Sequence, residues 1–253
     1  MKFGRFLHNR KSFYGIVDQL IYPVTGDIFG EFQISRKGYE PEKVKLLPPC
    51  QPSKIILVGL NYLDHVKESQ SSNVVPEEPV LFMKPSTSVI GPNEIIFYPE
   101  GVERLDFEAE LAVVIKDKCK NLTPSSVQDH ILGFTCLNDV TARNLQKKDV
   151  QWTRAKSFDS FCPLGPFIVD KIDLGNSRIE SYLNGELRQS SNTNQMIFSV
   201  EKIVRLVSQV MTLLPGDVIS TGTPAGVGPM KPGDTVEVFI ENIGTLRNYV
   251  KKA

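Results

Sequence analysis

Two glutamates separated by one residue, Glu108 and Glu110, interrupt an otherwise apolar run from 105 to 115, with the sequence LDFEAELAVVI. The β-branched and aromatic residues of this run predict a strand, in which side chains two positions apart share one face. Both carboxylates therefore point the same way from a segment whose neighbours favour burial. Burying an ionised carboxylate is costly unless a cation compensates its charge. A chain with this run must either expose that face or place a cation against it.

A third acid, Asp139, favours the second arrangement, in which a cation lies against the carboxylates. It ends a second apolar run, 131–139, which also predicts a strand. For the glutamate pair alone, the solvent face of an edge strand is the commoner arrangement, because Glu is seldom buried. Three carboxylates on two strands can supply half of an octahedral shell and leave positions for water and substrate. Ligation by carboxylates alone selects Mg²⁺, Mn²⁺ or Ca²⁺ over zinc.

Composition narrows the class of protein. The 253 residues suffice for one large domain or one domain with a small appendage. The 29 basic and 29 acidic residues cancel, so nothing indicates a nucleic-acid or anionic-membrane partner. No apolar run is long enough for a transmembrane helix, and the N-terminus lacks the apolar stretch of a secretory signal. Four widely spaced cysteines without a C-x-x-C pair argue against a structural zinc site or a disulfide framework, and favour a cytoplasmic location.

The pattern along the chain predicts a β-rich protein. Residues 1–50 contain short strand-like pieces and predict a small N-terminal β module, followed by a larger domain over 51–253. Strands outnumber helices and do not alternate with them, so a βαβ sheet is not expected. The clearest helical pattern covers 200–214. The polar segment 62–79 is typical of a functional lid, and its residues 70–79 are expected to influence specificity.

Histidine chemistry is expected at one place. His65 and Glu68 would share a face of a helical turn, where the carboxylate would make the imidazole a better general base. An incidental pair on a surface helix has the same spacing. The other histidines, His8 and His130, have no comparable neighbour in the sequence.

Further candidates follow Asp139. Arg143 and Gln146 have helical spacing from it, so all three would share a face able to bind a carboxylate and a carbonyl or hydroxyl oxygen. A surface Asp–Arg pair has the same spacing. Lys156 could stabilise a developing negative charge, although a solvated lysine is the alternative. The glycines of 222–228 are not followed by a helix, so they predict tight turns and close backbone contacts rather than a nucleotide site.

Taken together, these segments resemble the fumarylacetoacetate hydrolase family over roughly residues 54 to 250. The matching stretches are 59–68 (GLNYLDHVKE), 84–85 (KP), 106–111 (DFEAEL), 138–146 (NDVTARNLQ), 155–159 (AKSFD), 184–185 (NG), 193 with 196–198 (MIF), and 222–228 (GTPAGVG). The ordered set is far more specific than any single motif. The polar approach to Thr193, residues 190–195, departs from the family pattern.

The resemblance implies an α+β, β-rich fold: a mixed-sheet β-roll of the fumarylacetoacetate hydrolase type with a small N-terminal β module, assembled as a homodimer. It implies bound Mg²⁺ or Mn²⁺, with Ca²⁺ also possible. The implied site comprises metal ligands Glu108, Glu110 and Asp139, catalytic residues His65, Glu68 and Lys156, and substrate contacts Arg143, Gln146 and Thr193.

The activity implied by the resemblance is that of a Mg²⁺/Mn²⁺-dependent enzyme acting on a small 2-oxo acid through a metal-stabilised enolate. Hydrolysis of an acylpyruvate C–C bond or decarboxylation of oxaloacetate would use this chemistry. A 2-hydroxyhepta-2,4-diene-1,7-dioate isomerase-type activity in aromatic catabolism is the first alternative. A non-catalytic small-molecule binding protein is a remoter one.

Overall fold

A computed structural model describes residues 1–68 and 74–253. Residues 70–73 of the expected specificity segment lie outside the described residues. The strands in chain order are β1 (Lys2–His8), β2 (Lys11–Val17), β3 (Ile21–Gly26), β4 (Phe32–Ile34), β5 (Lys45–Leu47), β6 (Ile55–Gly59), β7 (Val80–Lys84), β8 (Val89–Ile90), β9 (Ile95–Tyr98), β10 (Leu105–Phe107), β11 (Ala109–Ile115), β12 (Ile131–Asn138), β13 (Thr141–Ala142), β14 (Cys162–Val169), β15 (Arg178–Leu183), β16 (Glu186–Asn192), β17 (Val218–Ser220), β18 (Gly228–Met230), β19 (Thr235–Ile240) and β20 (Gly244–Lys252). The α-helices are α1 (Leu63–Glu68), α2 (Arg143–Lys148), α3 (Thr153–Lys156) and α4 (Val200–Val210), and 3₁₀ turns cover Pro41–Lys43, Ser86–Ser88, Val127–His130 and Thr193–Gln195.

The strands form mixed sheets. Across the described ranges, the largest sheet has twelve strands in the order β4-β3-β2-β1-β14-β12-β11-β17-β6-β7, with β5 beside β1 and β8 beside β14. In this sheet β17 and β6 run parallel, whereas β11 and β12 are antiparallel. The other two sheets have the orders β16-β15-β19-β20-β9 and β13-β10-β18. Many strands, few helices and mixed pairing confirm the predicted α+β, β-rich class.

Strand β11 lies between β12 and β17 and is buried on both faces. Leu111, Val113 and Ile115 pack in one apolar cluster with α4, while Ala112 and Val114 belong to a cluster on the opposite face. Burial on both faces explains why the run is apolar at nearly every position. A carboxylate within this strand is consequently buried whichever face it occupies.

The run 105–115 is not one strand, contrary to the sequence prediction. β10 ends at Phe107, β11 begins at Ala109, and the two belong to different sheets. At the break, the Glu108 N–H donates to Asn138 Oδ1 at 3.0 Å and the Ala109 N–H donates to Gln189 Oε1 at 3.0 Å. The two side-chain amides satisfy backbone donors that would otherwise be buried without partners. The chain can therefore pass from the sheet of β10 to the sheet of β11 at Glu108.

Two predictions about helices are also wrong in detail. Asp139 and Arg143 do not share a helix, because β13 lies between them and α2 begins only at Arg143. The helix predicted over 200–214 ends at Val210, where α4 stops. Leu213 continues the apolar pattern by pairing with Cys119 in an antiparallel bridge rather than by extending the helix.

The N-terminal strands join the largest sheet through β1, which pairs with β14 and places Phe3 opposite Ile168. In residues 1–68 and 74–253, no helix has the length and apolar character needed to span a bilayer.

Candidate active site

Three carboxylates meet where β10, β11 and β12 approach one another. Glu108 lies at the break before β11, Glu110 is on β11, and Asp139 directly follows β12. Their exposed fractions are 5%, 1% and 0%. One oxygen from each lies within 4.8 Å of the others. The fold thus brings the three predicted acids together and buries all of them.

Cations surround these acids. Lys156 Nζ lies 2.6 Å from Asp139 Oδ2 and 3.1 Å from Glu108 Oε2. Arg143 Nη2 lies 2.6 Å from Glu108 Oε1, and Arg143 Nε lies 2.9 Å from Asp106 Oδ2. Lys156 is therefore not a solvated lysine, and Arg143 pairs with Asp106 and Glu108 rather than with Asp139.

Glu108 and Glu110 have opposite electrostatic environments. Burial alone would raise the pKa of Glu108, but the charges of Lys156 and Arg143 outweigh it and hold that pKa well below its ordinary value. Burial raises the pKa of Glu110 well above its ordinary value, and the negative charge of Asp139 reinforces the shift. A cation among the acids would offset both causes of this raised pKa, and the all-oxygen donor set suits a hard divalent ion.

Lys84, at the end of β7, is a buried cation whose sequence neighbours gave no indication of a role. Its Nζ donates to the carbonyls of Val140, Lys156 and Phe161 at 2.9, 2.8 and 2.7 Å. The same Nζ lies 2.8 Å from Asp139 Oδ1. Because its three N–H donors are directed to carbonyls, this contact is an ion pair without a hydrogen bond, and Oδ1 has no donor among the described residues. A buried carboxylate oxygen without a donor also fits a site for a metal ion.

His65 and Glu68 lie on α1, as predicted, but do not form a hydrogen bond. The distance from His65 Nδ1 to Glu68 Oε2 is 3.7 Å, and Nδ1 has no hydrogen-bond partner among the described residues. Glu68 Oε2 accepts the Gly226 N–H at 2.9 Å. Burial lowers the pKa of His65, although the charge of Glu108 opposes the shift. The shift favours the neutral imidazole, which is the form that a general base requires.

One cavity connects most of the predicted site residues. Phe82 and Trp152 form part of its apolar wall, with ring centroids 5.2 Å apart in an edge-to-face contact. Arg143 Nη1 donates to Gln146 Oε1 at 2.6 Å, which holds both side chains at the cavity. The predicted residues that line it are His65, Glu108, Glu110, Asp139, Arg143, Gln146 and Lys156.

Thr193, predicted to contact substrate, is not among the described residues that line this cavity. Its hydroxyl accepts the Ser177 N–H at 3.0 Å, and its own N–H donates to the Ser177 carbonyl at 2.9 Å. Thr223 lines the cavity instead, and its hydroxyl accepts a hydrogen bond from Gln189 Nε2 at 2.7 Å. Thr223 lies in the family-matching stretch GTPAGVG, and this position was the sequence feature that could have identified it.

The glycines of 222–228 allow that loop to approach the site. Gly222 and Gly226 have φ of +92° and +97°. A Cβ at Gly226 would lie 2.3 Å from the Arg188 carbonyl oxygen, and one at Gly222 would lie 2.8 Å from Asn61 Cβ. Only glycine fits without displacing these neighbours. The predicted close backbone contacts are confirmed.

Known families match both parts of the chain. The family described as fumarylacetoacetate (FAA) hydrolase C-terminal matches residues 54–251, and the family described as Rv2993c-like, N-terminal matches residues 1–49. A mitochondrial oxaloacetate tautomerase of Rattus norvegicus is 44% identical over 216 residues, which cover 81% of this chain and 68% of the relative.

Solved structures share the fold over the whole chain. The 5-carboxymethyl-2-hydroxymuconate delta-isomerase from Mycobacterium smegmatis is 40% identical and covers 100% of both chains with a TM-score of 0.93. The maleylpyruvate hydrolase from Sphingobium sp. SYK-6, in complex with manganese(II) and pyruvate, is 26% identical and covers 100% of both chains with a TM-score of 0.82. These matches confirm the predicted fold type. The chain belongs to the fumarylacetoacetate hydrolase family.

Proposed function

We propose that this chain is a Mg²⁺- or Mn²⁺-dependent enzyme that transfers a proton at the carbon beside the 2-oxo group of a small 2-oxo acid. The observation that carries the proposal is the juxtaposition of three buried carboxylates with His65, whose Nδ1 has no hydrogen-bond partner in the described part of the chain. The similarity to an oxaloacetate tautomerase supports oxaloacetate as the first candidate substrate. The hydrolase solved with manganese and pyruvate supports the class of ion and substrate.

The charges of the site favour a dianionic substrate. The three buried carboxylates face the cations of Lys84, Arg143 and Lys156, so these charges cancel when all are ionised. Glu68 adds a negative charge beside His65, but its side chain is 40% exposed, so solvent screens that charge. Asp106 is paired with Arg104 as well as Arg143. A divalent ion adds two positive charges, which a 2-oxo dicarboxylate would offset. A 2-oxo monocarboxylate would leave a net positive charge in a largely buried site.

Glu108, Glu110 and Asp139 would hold the ion. When bound, a divalent cation supplies a Lewis acid that withdraws electron density from the oxygens of a 2-oxo acid. His65, whose burial favours the neutral imidazole, would accept a proton from the carbon beside the 2-oxo group, and its imidazolium would deliver that proton to the 2-oxo oxygen to give the enol. The reverse transfer would convert the enol to the 2-oxo form. Glu68, whose Oε2 lies 3.7 Å from His65 Nδ1, would stabilise the imidazolium in between.

The remaining residues would bind and orient the substrate. Lys156 would stabilise the negative charge that develops on the 2-oxo oxygen. Arg143 and Gln146, joined by a hydrogen bond, would contact the distal carboxylate. Thr193 stays a predicted substrate contact, and Thr223, which lines the cavity, is a further candidate for such a contact.

Hydrolysis of an acylpyruvate-type C–C bond is a second candidate function. In that reaction His65 would activate a water molecule for attack on the distal carbonyl, using the same residues. The similarity to maleylpyruvate hydrolase favours it. Decarboxylation of oxaloacetate and isomerisation of a 2-oxo dienoate could use the same arrangement and belong in the same set of assays.

Turnover of enol-oxaloacetate and of maleylpyruvate, followed by the loss of enol absorbance and by product analysis, tests the proposal. We expect metal-dependent tautomerisation that chelation abolishes and Mn²⁺ restores. His65→Ala should lower turnover by about 10²-fold or more, the usual contribution of a general base. His8→Ala, outside the cavity lining, is the matched control and should retain activity.

Two outcomes would count against the first candidate. Wild-type turnover in His65→Ala would show that His65 is not the general base. Turnover that survives complete chelation would show that the reaction does not need a metal ion. Cleavage of maleylpyruvate without tautomerisation of oxaloacetate would replace the first candidate by the second.

A further inference from the structure

Three different metal-binding side chains converge at the other end of the β11–β12 pair from the acidic site. Asp117 and Cys119 follow β11, and His130 directly precedes β12. One potential ligand atom from each, a carboxylate oxygen, a thiol sulfur and a ring nitrogen, lies within 4.8 Å of the others. His130 Nδ1 contacts Asp117 Oδ1 directly. The sequence around His130 gave no sign of this contact, because its carboxylate partner lies thirteen residues away.

The backbone fixes both ends of this cluster independently of its side chains. The Lys116 N–H donates to the His130 carbonyl at 2.8 Å. Cys119 and Leu213 exchange two N–H···O bonds, of 3.1 and 2.9 Å. These contacts join positions that are distant in the sequence, so the three side chains remain close whether or not they bind a ligand.

The cluster is buried on one side and open on the other. Cys119 is 6% exposed, whereas the side chains of Asp117 and His130 are 44% and 27% exposed. An ion could therefore enter from solvent and retain a water molecule as a fourth ligand. A thiolate behind and two accessible ligands in front resemble an open tetrahedral site rather than a closed structural one.

We propose that Asp117, Cys119 and His130 form a second metal site, selective for a borderline ion of the Zn²⁺ class. Sulfur, nitrogen and oxygen ligands together suit Zn²⁺, whereas the all-carboxylate cluster suits Mg²⁺ or Mn²⁺. Binding requires the thiol to lose its proton and the His130–Asp117 contact to open, so the ion replaces the thiol proton and that hydrogen bond. At about 3.3 Å per residue along β11, the site lies on the order of 20 Å from Glu110. The two sites are therefore physically separate and chemically distinct.

Titration of the full chain with Co²⁺ tests this site, because Co²⁺ reports its ligands spectroscopically. We expect an intense near-ultraviolet thiolate-to-cobalt charge-transfer band that saturates at one equivalent and disappears when Zn²⁺ is added. Carboxylate ligands alone cannot produce that band. Cys119→Ser should abolish it, and His130→Ala should weaken Co²⁺ affinity by about tenfold or more. Glu110→Gln, which alters only the acidic cluster, should retain the band.

The proposal is overturned if the wild-type chain shows no charge-transfer band, or if Glu110→Gln removes it. It is equally overturned if His130→Ala binds Co²⁺ with unchanged affinity and an unchanged spectrum. His130 is partly exposed, so this variant remains informative even if Cys119→Ser does not fold. Circular dichroism of each variant establishes that the fold is retained.

Discussion

Glu110 controls how the acidic cluster accepts an ion. Its pKa is raised by burial and by the charge of Asp139, so the metal-free protein holds a proton there to a higher pH than an ordinary glutamate does. A ligated carboxylate must be ionised, and the ion therefore competes with this proton. In the metal-free protein the stability contributed by the proton is present below the ordinary carboxyl pKa and is lost as the pH rises through the raised pKa.

We expect Mn²⁺ affinity to fall as the pH falls through the raised pKa of Glu110 and to level off above it. Calorimetry in buffers of different ionisation enthalpy should detect proton release on binding. Glu110→Gln should release fewer protons and bind Mn²⁺ at least about tenfold more weakly. The exposed Glu186→Gln is the control. Equal proton release in wild type and Glu110→Gln would exclude this role.

Lys84→Met should reduce the free energy of unfolding of the metal-free chain by about 3–5 kcal/mol, as expected for removing one partner of a buried ion pair. The variant leaves Asp139 without this cation and three carbonyls without their donor. Urea unfolding measures the change. The exposed Lys171→Met should change it little. An equally small effect at Lys84 would contradict the assigned structural role.

Single residues could be predicted from the sequence only where the local pattern revealed their burial. Glu108, Glu110 and Asp139 stand in apolar runs, so their convergence was predictable. Asp106 carries the same signal, since it precedes Glu108 by two positions, yet its role depends on Arg143, 37 residues away. Lys84 and Thr223 depend in the same way on contacts between distant segments, which no local pattern reports.

At the scale of elements, the loop 222–228 sets the position of α1. The Gly226 N–H binds Glu68 at the end of the helix that carries His65. A side chain at Gly226 would collide with the Arg188 carbonyl and move this donor. The loop thus helps to position His65 through a backbone hydrogen bond rather than through a side chain.

Gly226→Ala should therefore lower turnover by roughly 10- to 100-fold, as expected when a catalytic group is misplaced by about an ångström. Mn²⁺ affinity should remain within about twofold, because the three acids lie on other elements. Gly233→Ala is the matched control, since its φ is +100° but a Cβ there would meet nothing within 4 Å. An equal loss of turnover in both variants would show that backbone strain alone causes the effect.

Element boundaries were less predictable than the elements themselves. The apolar pattern of 200–214 predicted a helix, but it continues past Val210 because Leu213 is buried by its bridge to Cys119. Likewise, the run 105–115 looked like one strand because both of its parts are buried, although in different sheets. Apolar periodicity reports burial and does not report which neighbour provides it.

At the scale of the whole molecule, the N-terminal strands cover part of the larger core. Phe3, Ile28 and Cys50 belong to the same apolar cluster as Leu164 and Ile168 of β14. Strand β1 also pairs with the edge of β14. Removing residues 1–50 would expose both the cluster and the strand edge.

We therefore expect a fragment of residues 51–253 to aggregate, or to unfold at a lower urea concentration than the full chain. Size-exclusion chromatography and urea unfolding would measure this. A monodisperse fragment with full turnover would instead show that 51–253 is independent. The boundary at residue 50, the homodimer and the cytoplasmic location stay predictions.

The strand break at Glu108 has a consequence for protein engineering. The amides of Asn138 and Gln189 act there as a substitute for a missing neighbouring strand, because each accepts a backbone N–H. A designer who grafts only the acids onto another scaffold would leave those two N–H groups without acceptors, at about 1–3 kcal/mol each. The smallest transferable unit therefore includes both amides together with the carboxylates.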